Sequence, residues 1–103
     1  MTNTTESSGI PDEKIIIHAA KTLDCSAQGT FVEACQCARQ NHIQVMVVDL
    51  NATQNIRASG LGILLMLSKK MEYSPFKIQI ENCQPDVKVL LSENRLFSGF
   101  SIS

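Results

Sequence analysis

The chain has 103 residues, enough for one domain and too few for a second. Apolar residues make up 44% and charged residues 18%, which suits a chain that folds around a core and excludes a disordered polymer. Lys and Arg total 9 against 10 for Asp and Glu, and aromatic residues are 5%; these values exclude a broad basic footprint for DNA or RNA and a stacking platform for single strands.

In chain order, residues 1–12 (MTNTTESSGIPD) are polar, contain Gly9 and Pro11 and show no periodicity, so they are expected to be a disordered tail before a domain at 13–103. Lys14 to His18 is β-branched and apolar, which predicts a strand. Thr22-Leu23-Asp24 suits a short strand or a turn, and Ser26 is a plausible N-cap for the next segment. From Gly29 to Asn41, Phe31, Val32, Cys35 and Ala38 recur on one helical face, and Asn41-His42 closes the helix. Ile43 to Leu50 is a nearly continuous apolar run, the pattern of a central strand covered on both sides. A loop at Asn51–Ala58 leads to a helix from Ser59 to Met71. Phe76 to Glu81 alternates Phe76, Ile78 and Ile80 with polar residues, as a strand with one buried face does. Pro85 suits the first turn of another helix, with Asp86 near its positive end and Val87, Leu90 and Leu91 as its apolar stripe. Phe97 to Ser103 is a short terminal strand or tail. Strands alternating with helices predict an α/β fold, with a largely parallel central sheet of about four strands packed by about three to four helices.

No apolar run approaches the ~20 residues that span a bilayer. The first apolar stretch, Ile15-Ile16-Ile17, comes after Asp12-Glu13-Lys14 and is no signal peptide. A cytoplasmic location without membrane insertion is therefore expected. Cys25, Cys35, Cys37 and Cys83 form no C-x-x-C pair. Cys35 and Cys37 would lie about 200° apart around a helix and cannot share an ion. Free thiols packed as small hydrophobes are expected, with no metal and no cofactor. His18 and His42 read as a strand residue and a helix-end residue rather than as ligands or bases.

The chemistry lies between Val47 and Met71. A buried strand gives way to a loop, and Ser59-Gly60-Leu61-Gly62 opens a helix. Ser59 can act as N-cap, its hydroxyl accepting from a first-turn N–H. Gly60 and Gly62 would let another surface approach closely. A phosphate esterified to Ser59 would meet the orphan donors and positive end of the helix. Leu61, Leu64, Leu65 and Ser68 can face the core, which would leave Ile63, Met66 and Leu67 on a flank or outside. The helix is then either buried all round or an apolar patch beside Ser59. Enzyme signatures fail here. A hydrolase elbow needs glycine where Arg57 stands, and both histidines precede Ser59. Leu65 stands where a dinucleotide fingerprint has its third glycine.

These residues resemble the STAS family, which includes bacterial anti-sigma-factor antagonists. Its members carry an apolar strand ending in Asp, then Asp-Ser-Ser-Gly-Leu-Gly or Asp-Ser-Ser-Ala-Leu-Gly opening a helix. Here the strand is Val45 to Leu50 with Asp49, and the motif is Arg57-Ala58-Ser59-Gly60-Leu61-Gly62. Ile63 to Leu67 is similar to the helix of Gram-negative members. Ile78 to Cys83, Val87, Leu90-Leu91 and Asn94 to Phe97 fit the family's ending. The resemblance implies a STAS fold and a non-enzymatic partner switch. The unmodified protein would bind an anti-sigma factor or serine protein kinase; phosphorylation at Ser59 would release it, and a PP2C-type phosphatase would reverse the change. It implies a partner surface of Arg57, Ala58, Ser59, Gly60, Leu61, Gly62, Ile63 and Met66 on a monomer or weak dimer. Two positions depart from the motif: Arg57 replaces its Asp and Ala58 its first Ser. The charge reversal keeps open a constitutive STAS subunit of a transporter complex, such as one for lipid transport, with no phosphorylation cycle.

Overall fold

Three consecutive isoleucines hold Lys14–His18 extended, because branching at Cβ crowds a helical turn. In the computed structural model, which describes residues 4–7, 14–41, 43–73, 77–97 and 100–103, this segment is one of seven strands. The order is β1 (Thr4–Ser7), β2 (Lys14–His18), β3 (Thr22–Leu23), α1 (Gln28–Gln40), β4 (Val45–Asp49), β5 (Asn55–Ile56), α2 (Ala58–Tyr73), β6 (Lys77–Glu81), α3 (Pro85–Ser92) and β7 (Ser101–Ile102). Short 3₁₀ turns at Cys25–Ala27 and Arg95–Phe97 precede α1 and β7.

The main sheet runs β1-β2-β4-β6-β7, and β3 and β5 form a separate parallel pair. From β2 onward the main sheet is parallel, so its four strands β2, β4, β6 and β7 agree with the α/β expectation. The strand order advances one place at a time in one direction. Right-handed crossovers then put every connecting helix on the same face. Burial agrees. Ile15, Met46 and Ile78 align across the sheet, as do Ile17, Val48 and Ile80. These six share one apolar cluster with Phe31, Ala34, Cys35 and Ala38 of α1, Ile63, Leu64 and Leu67 of α2, and Val87 and Leu91 of α3. Phe97 and Phe100 close its end with ring centres 5.6 Å apart.

Several expectations are corrected. Thr4–Ser7 is not tail but strand, antiparallel to β2 with Glu6 opposite Ile16. Edge pairing is made by backbone groups, so it leaves no apolar pattern to read. Residues 1–3 and 8–12 of the expected tail, His42 and Phe76 lie outside the described residues. β4 is central and buried on both faces, Met46 and Val48 on one and Val47 on the other, as its apolar run implied. Ser26 does not cap α1: Asp24 caps the preceding 3₁₀ turn, its carboxylate accepting from the Ser26 N–H at 3.0 Å and from the Ser26 hydroxyl at 2.6 Å. In α1 the buried stripe takes Ala34, while Val32 is half-buried. In α3 Val87 and Leu91 are buried, but Leu90 is 43% exposed. Among the described residues no helix is long and apolar enough to cross a membrane.

Leu67 has no exposed surface and Leu90 is largely in water. Leu67→Ala is expected to cost about 2–5 kcal/mol in urea unfolding, and Leu90→Ala to stay within about 0.5 kcal/mol of the parent.

Candidate functional site

Past β4 the chain is fastened repeatedly to the segment after β2. The Thr53 N–H donates to the Leu50 carbonyl at 3.0 Å, and its buried hydroxyl donates to the Ala20 carbonyl at 2.7 Å. The Gln54 N–H donates to the Lys21 carbonyl at 2.8 Å, after which β5 pairs with β3. The Arg57 N–H then donates to the Leu23 carbonyl at 2.9 Å, and the Arg57 carbonyl accepts from Leu61 at 3.0 Å, opening α2. Gly60 is pressed against the same carbonyl: a Cβ there would collide with the Leu23 oxygen and stand 2.7 Å from its carbon. Any side chain at this position would push the helix off β3.

These contacts fix Ser59 inside the first turn of α2, exposed to solvent. It does not cap its own helix. Its hydroxyl oxygen accepts from the Cys25 backbone N–H at 3.0 Å, across 34 positions of sequence. Ser59 therefore joins two segments, the start of α2 and the turn after β3. The first-turn N–H groups of α2 have no acceptor four residues back, and the helix places its positive end there. Arg57 is exposed beside it. Asp24 lies on the other side of the turn. Hydrogen bonds from the Ser26 hydroxyl and amide hold its carboxyl below the usual carboxylate range, with a smaller contribution from the Arg57 guanidinium and burial acting weakly against them.

The eight residues expected to form a partner surface divide. Arg57, Ala58, Ser59 and Gly62 are exposed, and Leu61 and Met66 are half-buried. Gly60 is buried and Ile63 is only 6% exposed, so both belong to the interior. Leu67 is likewise core rather than flank. The close approach that Gly60 permits is internal, to Leu23; Gly62 meets nothing within 4 Å of an added Cβ and stays open to another molecule. Sequence reasoning missed Asp24 and Cys25 at this site. The pairing of β3 with β5 that brings them there has two residues per strand and leaves no pattern.

The other candidate groups lie apart. His18, at the end of β2, sits with Nδ1 3.0 Å from the Asp49 carboxylate. The second Asp49 oxygen accepts from the Asn51 N–H at 2.9 Å and the Asn82 amide at 3.2 Å. Asp49 thus fastens three loop starts at the carboxyl end of the sheet. Cys35 is buried and Cys37 and Cys83 are half-buried, while Cys25 is exposed, contrary to the expectation that all four thiols pack. Burial pushes the Cys83 thiol up, with Lys88 opposing it. Among the described residues no group of three His, Cys, Asp or Glu could hold a metal.

A family model for the STAS domain matches residues 2–103. The chain belongs to the STAS-domain family. Two solved structures share its fold. The anti-sigma factor antagonist SpoIIAA in its unphosphorylated form aligns with a TM-score of 0.72 and 15% identity, covering 98% of this chain and 86% of that one. The Bacillus cell fate determinant SpoIIAA in its phosphorylated form gives 0.71 and 16%, covering 98% and 90%. A comparison with curated proteins gave no match. The five-stranded sheet and three helices of this chain are thus a STAS α/β fold, and the Ser59 turn lies within it.

Gly60→Ala is expected to destabilise the protein by about 1–3 kcal/mol through overpacking against Leu23. Gly62→Ala, in open space within a helix, is expected to stabilise it by about 0.5–1 kcal/mol. Thermal unfolding of the two variants checks both signs.

Proposed function

We propose that this STAS protein is an anti-sigma-factor-antagonist-like partner switch of the kind found in Gram-negative bacteria, a cytoplasmic binding protein rather than an enzyme. It binds an anti-sigma factor or serine protein kinase when Ser59 is unmodified and releases it when Ser59 is phosphorylated. A PP2C-type phosphatase restores the binding form. The observation that carries this reading is the exposed Ser59 hydroxyl on a rigid helix start, beside exposed Arg57, Ala58 and Gly62 and half-buried Leu61 and Met66.

The physical chemistry of such a switch is simple. Leu61 and Met66 supply apolar area to a complex at about 25 cal/mol per Å² removed from water. A phosphoryl group on Ser59 adds about −1.5 to −2 charges at the centre of that surface. Drying such a dianion against a partner without a matched cation costs several kcal/mol. Since each ~1.4 kcal/mol is tenfold in affinity, release needs no refolding. SpoIIAA, solved in both forms, matches this chain almost equally well in each, which fits a surface switch. Arg57 stands where the family motif has Asp. Its guanidinium can neutralise part of the phosphate charge, so release here rests on the rest of the dianion and on its bulk.

Capture from lysate of the source cells, followed by calorimetry with the kinase recovered, tests the reading. Ser59→Ala is expected to retain the kinase and take no phosphoryl group from it. Ser59→Asp is expected to bind at least about tenfold more weakly. Equal binding by both variants, with no phosphoryl group on the wild type, would contradict the switch and favour a constitutive subunit.

A further inference from the structure

Two hydrogen bonds tie the start of α2 to the turn after β3, and they straddle one residue. The Arg57 N–H donates to the Leu23 carbonyl at 2.9 Å, and the Cys25 N–H donates to the Ser59 hydroxyl at 3.0 Å. Asp24 is the residue between Leu23 and Cys25, and the Arg57 charge is felt at its carboxyl. Ser26 holds that carboxyl by a single oxygen: its amide at 3.0 Å and its hydroxyl at 2.6 Å both donate to Oδ1. Among the described residues Arg57 makes no ion pair, so its guanidinium is uncommitted. The segments around Ser59 carry three titratable or charged side chains: Asp24, Cys25 and Arg57. β3, β5 and the first turn of α1 carry none.

We propose that Arg57 is the resident counter-ion of a phosphate on Ser59, with Asp24 opposing it across the turn, so that these two side chains set the charge of the modified site. The inference rests on Ser59 being the phosphorylated residue. Esterification removes the hydroxyl proton and leaves the negative charge on three outer oxygens. One of these takes over from Oγ as acceptor for the Cys25 N–H. The planar guanidinium fork, two residues away along the chain, binds the others. A nearby cation favours the doubly charged phosphate, and a nearby carboxylate disfavours it. Arg57 prevails because it is uncommitted, while Asp24 is partly satisfied by Ser26, and the positive end of α2 acts in the same direction as Arg57. The phosphate therefore completes its second ionisation below neutral pH and carries close to two negative charges at pH 7. The guanidinium it holds is also withdrawn from any carboxylate of a partner met by the unmodified protein. One modification thus changes two contacts.

Phosphorus NMR of the protein carrying phosphoserine at position 59, titrated at low salt, tests this without the kinase. The wild-type phosphate is expected to titrate below its ordinary value of about 6. Arg57→Gln is expected to raise the midpoint by about 0.5 pH unit, the effect of a unit charge about 6 Å away in water. Asp24→Asn is expected to lower it. Arg57→Lys keeps the charge and loses the fork, so its midpoint is expected between those of the wild type and Arg57→Gln. Asparagine at position 24 can still accept from Ser26, and unchanged amide resonances of β4 and β6 confirm that each variant is folded. A wild-type midpoint above about 6, an Arg57→Gln midpoint no higher than the wild type's, or an Asp24→Asn midpoint above it would each overturn the proposal. A kinase that never modifies Ser59 would contradict the switch and leave these midpoints as they are, so the two readings fail separately.

Discussion

Much of the site depends on one backbone carbonyl. The Leu23 oxygen accepts from the Arg57 N–H and is the atom against which Gly60 packs. Leu23 itself is fully buried, so the carbonyl is held from behind by the core. A hydrogen bond of this sort contributes about 1 kcal/mol net. Its larger effect is geometric, since it sets where α2 begins and which way Ser59 faces. The hydrogen bond from Cys25 to Ser59 depends on the same placement. Glycine at position 60 is thus an internal requirement of the fold, even though it lies in the middle of the motif that carries the function.

The polar groups that follow β2 and β4 are arranged in two ways. At the carboxyl end of the sheet, Asp49 is satisfied by His18, the Asn51 amide and Asn82, a closed arrangement that fastens loops. Around Ser59 the polar groups are left toward solvent. Ser26 hydrogen bonds keep Asp24 anionic, and Arg57 balances it across the turn. A new charge at Ser59 would enter a region where nothing has to unfold to admit it. That is what a reversible surface modification requires, because protein interiors are too densely packed to take up a dianion.

Strands β2, β4 and β6 and the three helices were legible in the sequence because each carries a period or an unbroken apolar run. Ile15 and Ile17, Met46 and Val48, and Ile78 and Ile80 alternate or run continuously as buried strands do, and Pro85 marks a helix start. The edge strand Thr4–Ser7 was not legible, since its partner is recognised by backbone groups. Nor was the burial of Ile63 and Leu67. With apolar residues nearly all round α2, periodicity alone cannot fix its rotation; the contact between Gly60 and Leu23 does. Ser59 was found by its motif, but its acceptor role toward Cys25 depends on the two-residue β3–β5 pair, which is set by tertiary packing.

The central claim is that Ser59 can be modified at the surface while the fold beneath it stays fixed. Amide NMR of the protein carrying phosphoserine at position 59, compared with the unmodified protein, tests this most directly. Shift changes are expected only at residues 24–27 and 57–62, with the Cys25 amide among the largest, and unchanged resonances are expected for β4 and β6. Widespread changes across those central strands, or a Cys25 amide that does not respond, would contradict the claim.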